Sequence, residues 1–322
     1  MRKALVIGID NYKGKDNDKD ASLKGCVNDA VSIASILEKN GDGSPNFDVN
    51  SITNPPYTTD ISTIRRLIEE LFEAPNDIAL LYYAGHGLLK PTGGYIVTSD
   101  FRKYNEGISM QEILELATNS KARSKIIILD CCHSGSFATS NLGNPNISNL
   151  CDELTVITAS RSIESAVESN NGHGVFTSLL IDALQGGAAD VRGHITAGSI
   201  YAYVDSALGA WAQRPIFKTN ISRFVPIRNI NPKIPLEKLR QIVKYFPQPE
   251  NEFNFDPSYE STSESAVDTN CSIFKDLQKF ESEGLVKPVG EEHMYYAAMK
   301  SKSCKLTALG YQYWRLVKEN KL

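Results

Sequence analysis

KIIILDCCHSG, residues 125 to 135, sets a short apolar run directly before an acid, two adjacent cysteines, a histidine, a serine and a glycine. A run of that length reads as a buried strand, and in α/β folds chemistry collects where such strands end. NDIALLYYAGHG, residues 76 to 87, repeats the layout, with His86 between Gly85 and Gly87 just past its apolar run. Two strand ends therefore offer a thiol and an imidazole. A cysteine becomes a strong nucleophile when a neighbouring base or positive charge lowers its pKa, and histidine supplies both near neutral pH. Thiol-based hydrolysis is the first reading.

The other cysteines and histidines have plainer explanations. Cys26, Cys151, Cys271 and Cys304 read as small buried hydrophobes, and His173, His194 and His293 as satisfied structural residues. Cys132 differs because polar residues and glycine crowd positions 130 to 135. His86 differs because its flanking glycines allow the close backbone approach that a substrate-facing loop requires. Successive side chains of an extended segment alternate, so Asp130 and Cys132 share a side while Cys131 faces away. Chemistry alone leaves the choice between the two thiols open.

Strand-like runs at 3 to 9, 78 to 83, 94 to 98, 125 to 130 and 153 to 158 alternate with helical patterns at 22 to 39, 60 to 73, 108 to 118, 174 to 184 and 197 to 208. This alternation predicts an α/β fold, a mainly parallel sheet flanked by helices, with the active site at the carboxyl ends of the strands. The 322 residues suit one large domain and a smaller one, and 41% hydrophobic content supplies a core. A net charge of −4 shows no overall bias toward nucleic acid or membrane. No apolar run of about 18 residues appears, and the N-terminus enters a strand-like segment directly, so a cytoplasmic protein is expected. Six cysteines, two of them adjacent, lack the spacing of a disulfide framework or a zinc site.

YYAGHG followed by DCCHSG resembles the caspase-like clan, and within it the metacaspases and their bacterial relatives more than animal caspases. His86 precedes Cys132 by about 50 residues, as in caspases. KALVIGID at 3 to 10 resembles the family's first strand, LKGCVNDA at 23 to 30 the start of its first helix, and QRPIFKTN at 213 to 220 its closing strand. The likeness covers residues 1 to 228. It implies Cys132 as nucleophile, since the family's nucleophile directly precedes the His-Ser-Gly found here at 133 to 135, with His86 as general base. It further implies an oxyanion hole formed by the amides of Gly87 and Cys132.

By the same resemblance Asp29 and Asp130 face the substrate residue before the scissile bond. Two carboxylates in one pocket repel each other unless a cation holds both ionised, and Arg does this best through its planar fork, ahead of Lys. The plainer alternatives are that Asp29 caps a helix turn or that Asp130 bonds loop amides. Asp10 stands where the family often has Asn and adds a third acid. At 158 to 168 Ile163 replaces the family's usual acid, with Glu164 and Glu168 beside it. Of the calcium ligands in calcium-dependent metacaspases only Asp100 has a match. Ser109, Met110, Gln111 and Thr139 stand where others belong, too few oxygens for a hard cation. No metal and no other cofactor is expected.

Past residue 228 the composition shifts to Pro, Asn, Ser and acids, read as a linker over 229 to 270 with one short helix, PLEKLRQIVKYF. Residues 271 to 322 resemble a winged helix: a helix ending at Gly284, two strands joined by a hairpin near Gly290, then a helix with Tyr311, Trp314 and Leu316 on its face. Nine Lys or Arg against six Asp or Glu is a mild excess for a DNA reader, so protein docking is favoured over DNA binding, with Lys300, Lys302 and Lys305 the residues to test. The segment 136 to 153 contains no Lys or Arg, so an enzyme cutting after basic residues cannot process itself there. Control then falls to a partner or to residues 229 to 322. A caspase-like scaffold and a winged-helix regulator without turnover are the alternatives, and Cys132→Ala separates them from an enzyme. A role as a prokaryotic cell-death or defence effector is an analogy from the resemblance.

Overall fold

The computed structural model describes residues 1–12, 21–102, 104–131, 151–159, 172–208 and 215–322. Two compact units divide the chain, Met1–Ile230 and Asn231–Leu322. The first contains β1 (Arg2–Ile9), α1 (Cys26–Glu38), β2 (Asp48–Asn54), α2 (Ile61–Glu73), β3 (Ile78–Ala84), β4 (Gly87–Lys90), β5 (Gly93–Ile96), β6 (Ile108–Ser109), α3 (Met110–Thr118), β7 (Ser124–Asp130), β8 (Leu154–Thr158), α4 (Val175–Asp182), β9 (His194–Thr196), α5 (Ala197–Leu208), β10 (Ile216–Asn220) and β11 (Pro226–Asn229). Six of these strands form one sheet in the order β10-β8-β7-β3-β1-β2, parallel except for the edge strand β10. The expected parallel sheet is therefore present.

Its apolar strands are buried on both sides, which is why they read as continuous hydrophobic runs. Leu5, Ile7 and Ile9 of β1, with Leu81 and Tyr83 of β3, pack on α2 and α3. The alternating set, Ala4 and Val6 with Leu80 and Tyr82, packs on α1, α4 and α5. Two features depart from the sequence pattern. Strand β2 was not expected, because DVNSITN is polar; it survives as a half-exposed edge. The run at 94 to 98 does not join the main sheet, since β5 pairs antiparallel with β4 and β6 in a small sheet of its own.

Register brings the chemistry-bearing ends together. Ala84 of β3 stands opposite Asp130 of β7, and the Gly85 amide donates to the Asp130 carbonyl at 3.3 Å. His86 and Cys132 each follow two residues after that pair in sequence.

The second unit contains α6 (Leu236–Leu239), α7 (Ile242–Tyr245), β12 (Glu252–Asn254), α8 (Asp268–Ser282), β13 (Val286–Val289), α9 (Met294–Met299), β14 (Ser303–Leu306) and α10 (Ala308–Lys318). Here the stretch 229 to 270 is no bare linker. β12 pairs with β14, and Phe255 packs edge-on against Phe274 at 5.3 Å between ring centroids. Trp314 Nε1 donates to the Phe246 carbonyl at 2.7 Å. Polar composition concealed a few aromatic residues that carry the packing. The hairpin expected near Gly290 is also corrected: β13 and β14 do pair, but α9 lies between them in sequence. On α10 the buried residues are Gly310 and Tyr313, while Tyr311 is exposed.

These contacts make Phe255→Ala a test of whether 229 to 270 is structural. With Phe255 almost fully buried, its truncation is expected to cost about 3–5 kcal/mol in urea unfolding of the second unit, where a linker residue would cost nothing measurable.

Candidate active site

His86 is held by its backbone before its ring is considered. Its amide donates to the Tyr12 hydroxyl at 2.8 Å, and its carbonyl accepts the Val97 amide at 3.0 Å. Tyr12 Oη lies 3.3 Å from Tyr83 Oη, and Tyr83 Oη lies 2.8 Å from the carbonyls of both His86 and Val97. The two carbonyls can only accept, so the Tyr83 proton goes to one of them, and Tyr83 Oη in turn accepts from Tyr12. Burial pushes both phenol pKa values up, so the chain stays neutral. Gly85 is needed here for space: a Cβ would lie 2.3 Å from the Tyr12 hydroxyl and 2.5 Å from that of Tyr83.

The imidazole packs on the Tyr12 ring at 4.6 Å, and Nε2 lies 2.7 Å from the Ala21 carbonyl. A carbonyl can only accept, so Nε2 carries the proton. The lone pair of the neutral ring is then on Nδ1, which becomes the basic atom.

Gly87 stands opposite Ile96 in the β4–β5 ladder, and the bond flanking that pair runs from the Val97 amide to the His86 carbonyl. In an antiparallel pair this makes 87 and 96 a non-hydrogen-bonded position. The Gly87 N–H is therefore not spent on β5.

The two acids meet under the start of α4. Asp130, half-buried, accepts from Thr177 Oγ1 at 2.6 Å, and Thr177 in turn lies 2.6 Å from the Tyr82 hydroxyl. Asp29, 3% exposed, accepts from His173 Nδ1 at 2.6 Å and from the Gly174 amide at 3.4 Å. Gly174 sits between them: a Cβ there would lie 3.3 Å from Asp130 Oδ2 and 3.5 Å from Asp29 Oδ2. Burial pushes the Asp130 carboxyl up to about 6, with the Thr177 hydrogen bond opposing and Asp29 adding to the rise. Burial likewise raises Asp29, against the hydrogen bonds from His173 and Gly174. Asp10 does not join them as a third pocket acid with open oxygens. Its carboxylate accepts from the Cys26 amide at 2.9 Å and the Val27 amide at 3.4 Å, at the N-terminus of α1, where a helix favours an anion.

A caspase domain model matches residues 1–225. The chain belongs to the caspase-domain family of cysteine peptidases. It is 32% identical to Metacaspase-1A of Neurospora crassa over 151 residues, 42% of this chain and 32% of that protein, so the match spans about a third of the relative's length. A crystal structure of a Geobacter sulfurreducens protein superposes with a TM-score of 0.52 at 17% identity, covering 71% of this chain and 97% of that one, a likeness of fold. Caspase-1 from Spodoptera frugiperda gives a TM-score of 0.49 at 14% identity, over 71% of this chain and 90% of that one.

Within this caspase domain Cys132 and Glu164 lie outside the described residues, as do Ile163, Glu168 and Thr139. Cys131 is buried among the apolar side chains facing α2 and α3, as alternation predicts. Burial and the neighbouring acids push the Cys26 thiol up, and burial pushes Cys304 up to about 12, so both stay protonated. The Asp100 carboxylate accepts from the Ile61 amide and the Thr98 hydroxyl, Ser109 caps α3 and Met110 is fully buried. Among the described residues no three His, Cys, Asp or Glu side chains come together as metal ligands. Sequence reasoning missed Tyr12, the Ala21 carbonyl, Thr177 and the contact of His173. A backbone carbonyl has no sequence signature, and His173 belongs to the site only through a fold that spans 144 positions.

Asp130 binds its proton more tightly folded than unfolded, so the unfolded state ionises first and stability falls as pH rises from about 4 to 6. Asp130→Asn removes that cost while keeping an acceptor for Thr177. At pH 7.5 the variant is expected to be more stable by about 1–3 kcal/mol in urea unfolding, with the difference vanishing toward pH 4.

Proposed function

We propose that the chain is a cysteine endopeptidase that cuts after Arg and, less well, Lys, using Cys132 as nucleophile and His86 as general base. The observation that carries this reading is the convergence of Asp29 and Asp130 on Gly174, beside the β3 and β7 ends that carry His86 and lead to Cys132. Two neighbouring carboxyls with raised pKa values are a poor resting arrangement, and a substrate guanidinium relieves both at once through its planar fork. Lys supplies the charge without the fork.

In this mechanism His86 Nδ1 takes the Cys132 proton, and the thiolate attacks the scissile carbonyl carbon. The carbonyl electrons move to an oxyanion that accepts from the Gly87 and Cys132 amides, preorganised donors that need no side chain. The imidazolium returns the proton to the leaving amine as the C–N bond breaks, leaving a thioester at Cys132. Water, deprotonated by His86, then hydrolyses the thioester and regenerates the thiol. The Ala21 carbonyl supports this by keeping Nε2 protonated while Nδ1 cycles.

The polypeptide substrate reaches an enzyme working as one unbroken chain, because 136 to 153 offers no basic residue for self-processing. Control falls to residues 229 to 322, by docking a protein partner in preference to DNA; Lys300 is already engaged by Glu291 and the Tyr296 ring. Positions 100, 109 and 110 serve helix ends or the core, which supports activity without calcium. Among the described residues no helix is long and apolar enough to cross a membrane; the cytoplasmic location rests on the sequence reading alone.

The test is a fluorogenic peptide panel varied at the residue before the cut, run with chelator present. Wild type is expected to prefer Arg, then Lys. Cys132→Ala and His86→Ala should each abolish turnover, with the double variant hardly worse, and Cys131→Ala should keep it. Asp29→Ala or Asp130→Ala should cost on the order of 2–5 kcal/mol in kcat/KM for Arg peptides. Preference for Asp or Leu, or turnover surviving in Cys132→Ala, would falsify the assignment.

A further inference from the structure

The acid pair contains an asymmetry that two carboxylates and a substrate cation do not explain. Asp130 is fixed by Thr177 of α4, which is itself paired with Tyr82 on the neighbouring strand β3. Asp29 sits on α1, and its side-chain oxygen Oδ1 is held by His173, which enters from the segment leading into α4. The pair is well sequestered, with side-chain exposures of 19% for His173 and 4% for Asp29.

His173 is held from two sides. A carboxylate can only accept, so Nδ1 donates toward Asp29 Oδ1 at 2.6 Å. Asn28 Nδ2 donates to the Gly172 carbonyl at 3.1 Å and lies almost equidistant from the two ring nitrogens, 3.2 Å from Nδ1 and 3.3 Å from Nε2, which sets it against the ring as a whole. His173 is therefore an oriented N–H donor to Asp29.

An oriented donor of this kind fixes a carboxylate plane. With Oδ1 taken by His173, the Asp29 oxygen that converges with Asp130 on Gly174 is Oδ2. We propose that His173, backed by Asn28, is the positioning residue of the specificity pocket: it locks the Asp29 carboxylate so that the two acids fit a planar guanidinium, and thereby sets the preference for Arg over Lys. This rests on the basic specificity proposed above and names the residue that gives it geometry. A point charge on a flexible stem follows a rotating carboxylate; a bidentate fork does not.

The experiment measures kcat/KM for two peptides identical except for Arg or Lys before the cut, on wild type, His173→Ala and His173→Asn. Both peptides are read on the same preparation, so any unfolded fraction cancels from the Arg-to-Lys ratio. Asn places an N–H donor near the position of Nδ1. The ratio is expected to fall about tenfold in His173→Ala, the worth of one charge-assisted hydrogen bond, mainly through KM for the Arg peptide, and to recover in His173→Asn. A ratio unchanged in His173→Ala, with both peptides slowed alike or not at all, assigns His173 a structural role and overturns the proposal. A ratio that falls equally in His173→Asn also overturns it, since the donor would then not matter. A wild type that shows no preference for basic residues, or cuts neither peptide, overturns the underlying specificity instead.

Discussion

Two carboxylates held around one glycine, with little water to solvate them, constrain everything near the end of β7. Each is raised by burial. What makes the arrangement tolerable is α4, whose N-terminal turn delivers the Gly174 amide, the Thr177 hydroxyl and the positive end of a helix dipole to the same place. At 174 a Cβ would sit tightly against Asp130, at 3.3 Å, and in ordinary contact with Asp29, at 3.5 Å. The offset is incomplete, since both carboxyls stay raised.

The histidine side of the site relies on backbone groups. Tyr12 and Tyr83 lock the turn that carries His86, and the Ala21 carbonyl selects its tautomer. With Nε2 donating to that carbonyl, the lone pair of the ring stands on Nδ1.

The second unit has a separate logic. Its three-stranded sheet and short helices close around Phe246, Phe274, Phe280 and Leu277, all nearly inaccessible to water. With so few residues, a handful of aromatic side chains must supply most of the buried area. Several come from the polar stretch between residues 246 and 259, whose composition suggested a linker while its aromatic spacing did the packing.

Strand runs, their order with the helices and the sidedness of Cys131 were legible in the sequence. Each depends on alternation or on residues close together in the chain, where local geometry dictates which way a side chain points. The edge strand β2 escaped notice because exposure removes the apolar signal. Asp10 looked like a pocket acid until α1 was seen to present its amides to it. His173 looked like an isolated structural histidine until the chain brought it across 144 positions onto Asp29. What only the tertiary structure decided was which oxygen each hydrogen bond occupies. Hydrogen bonds act over about 3 Å, and sequence carries no distances.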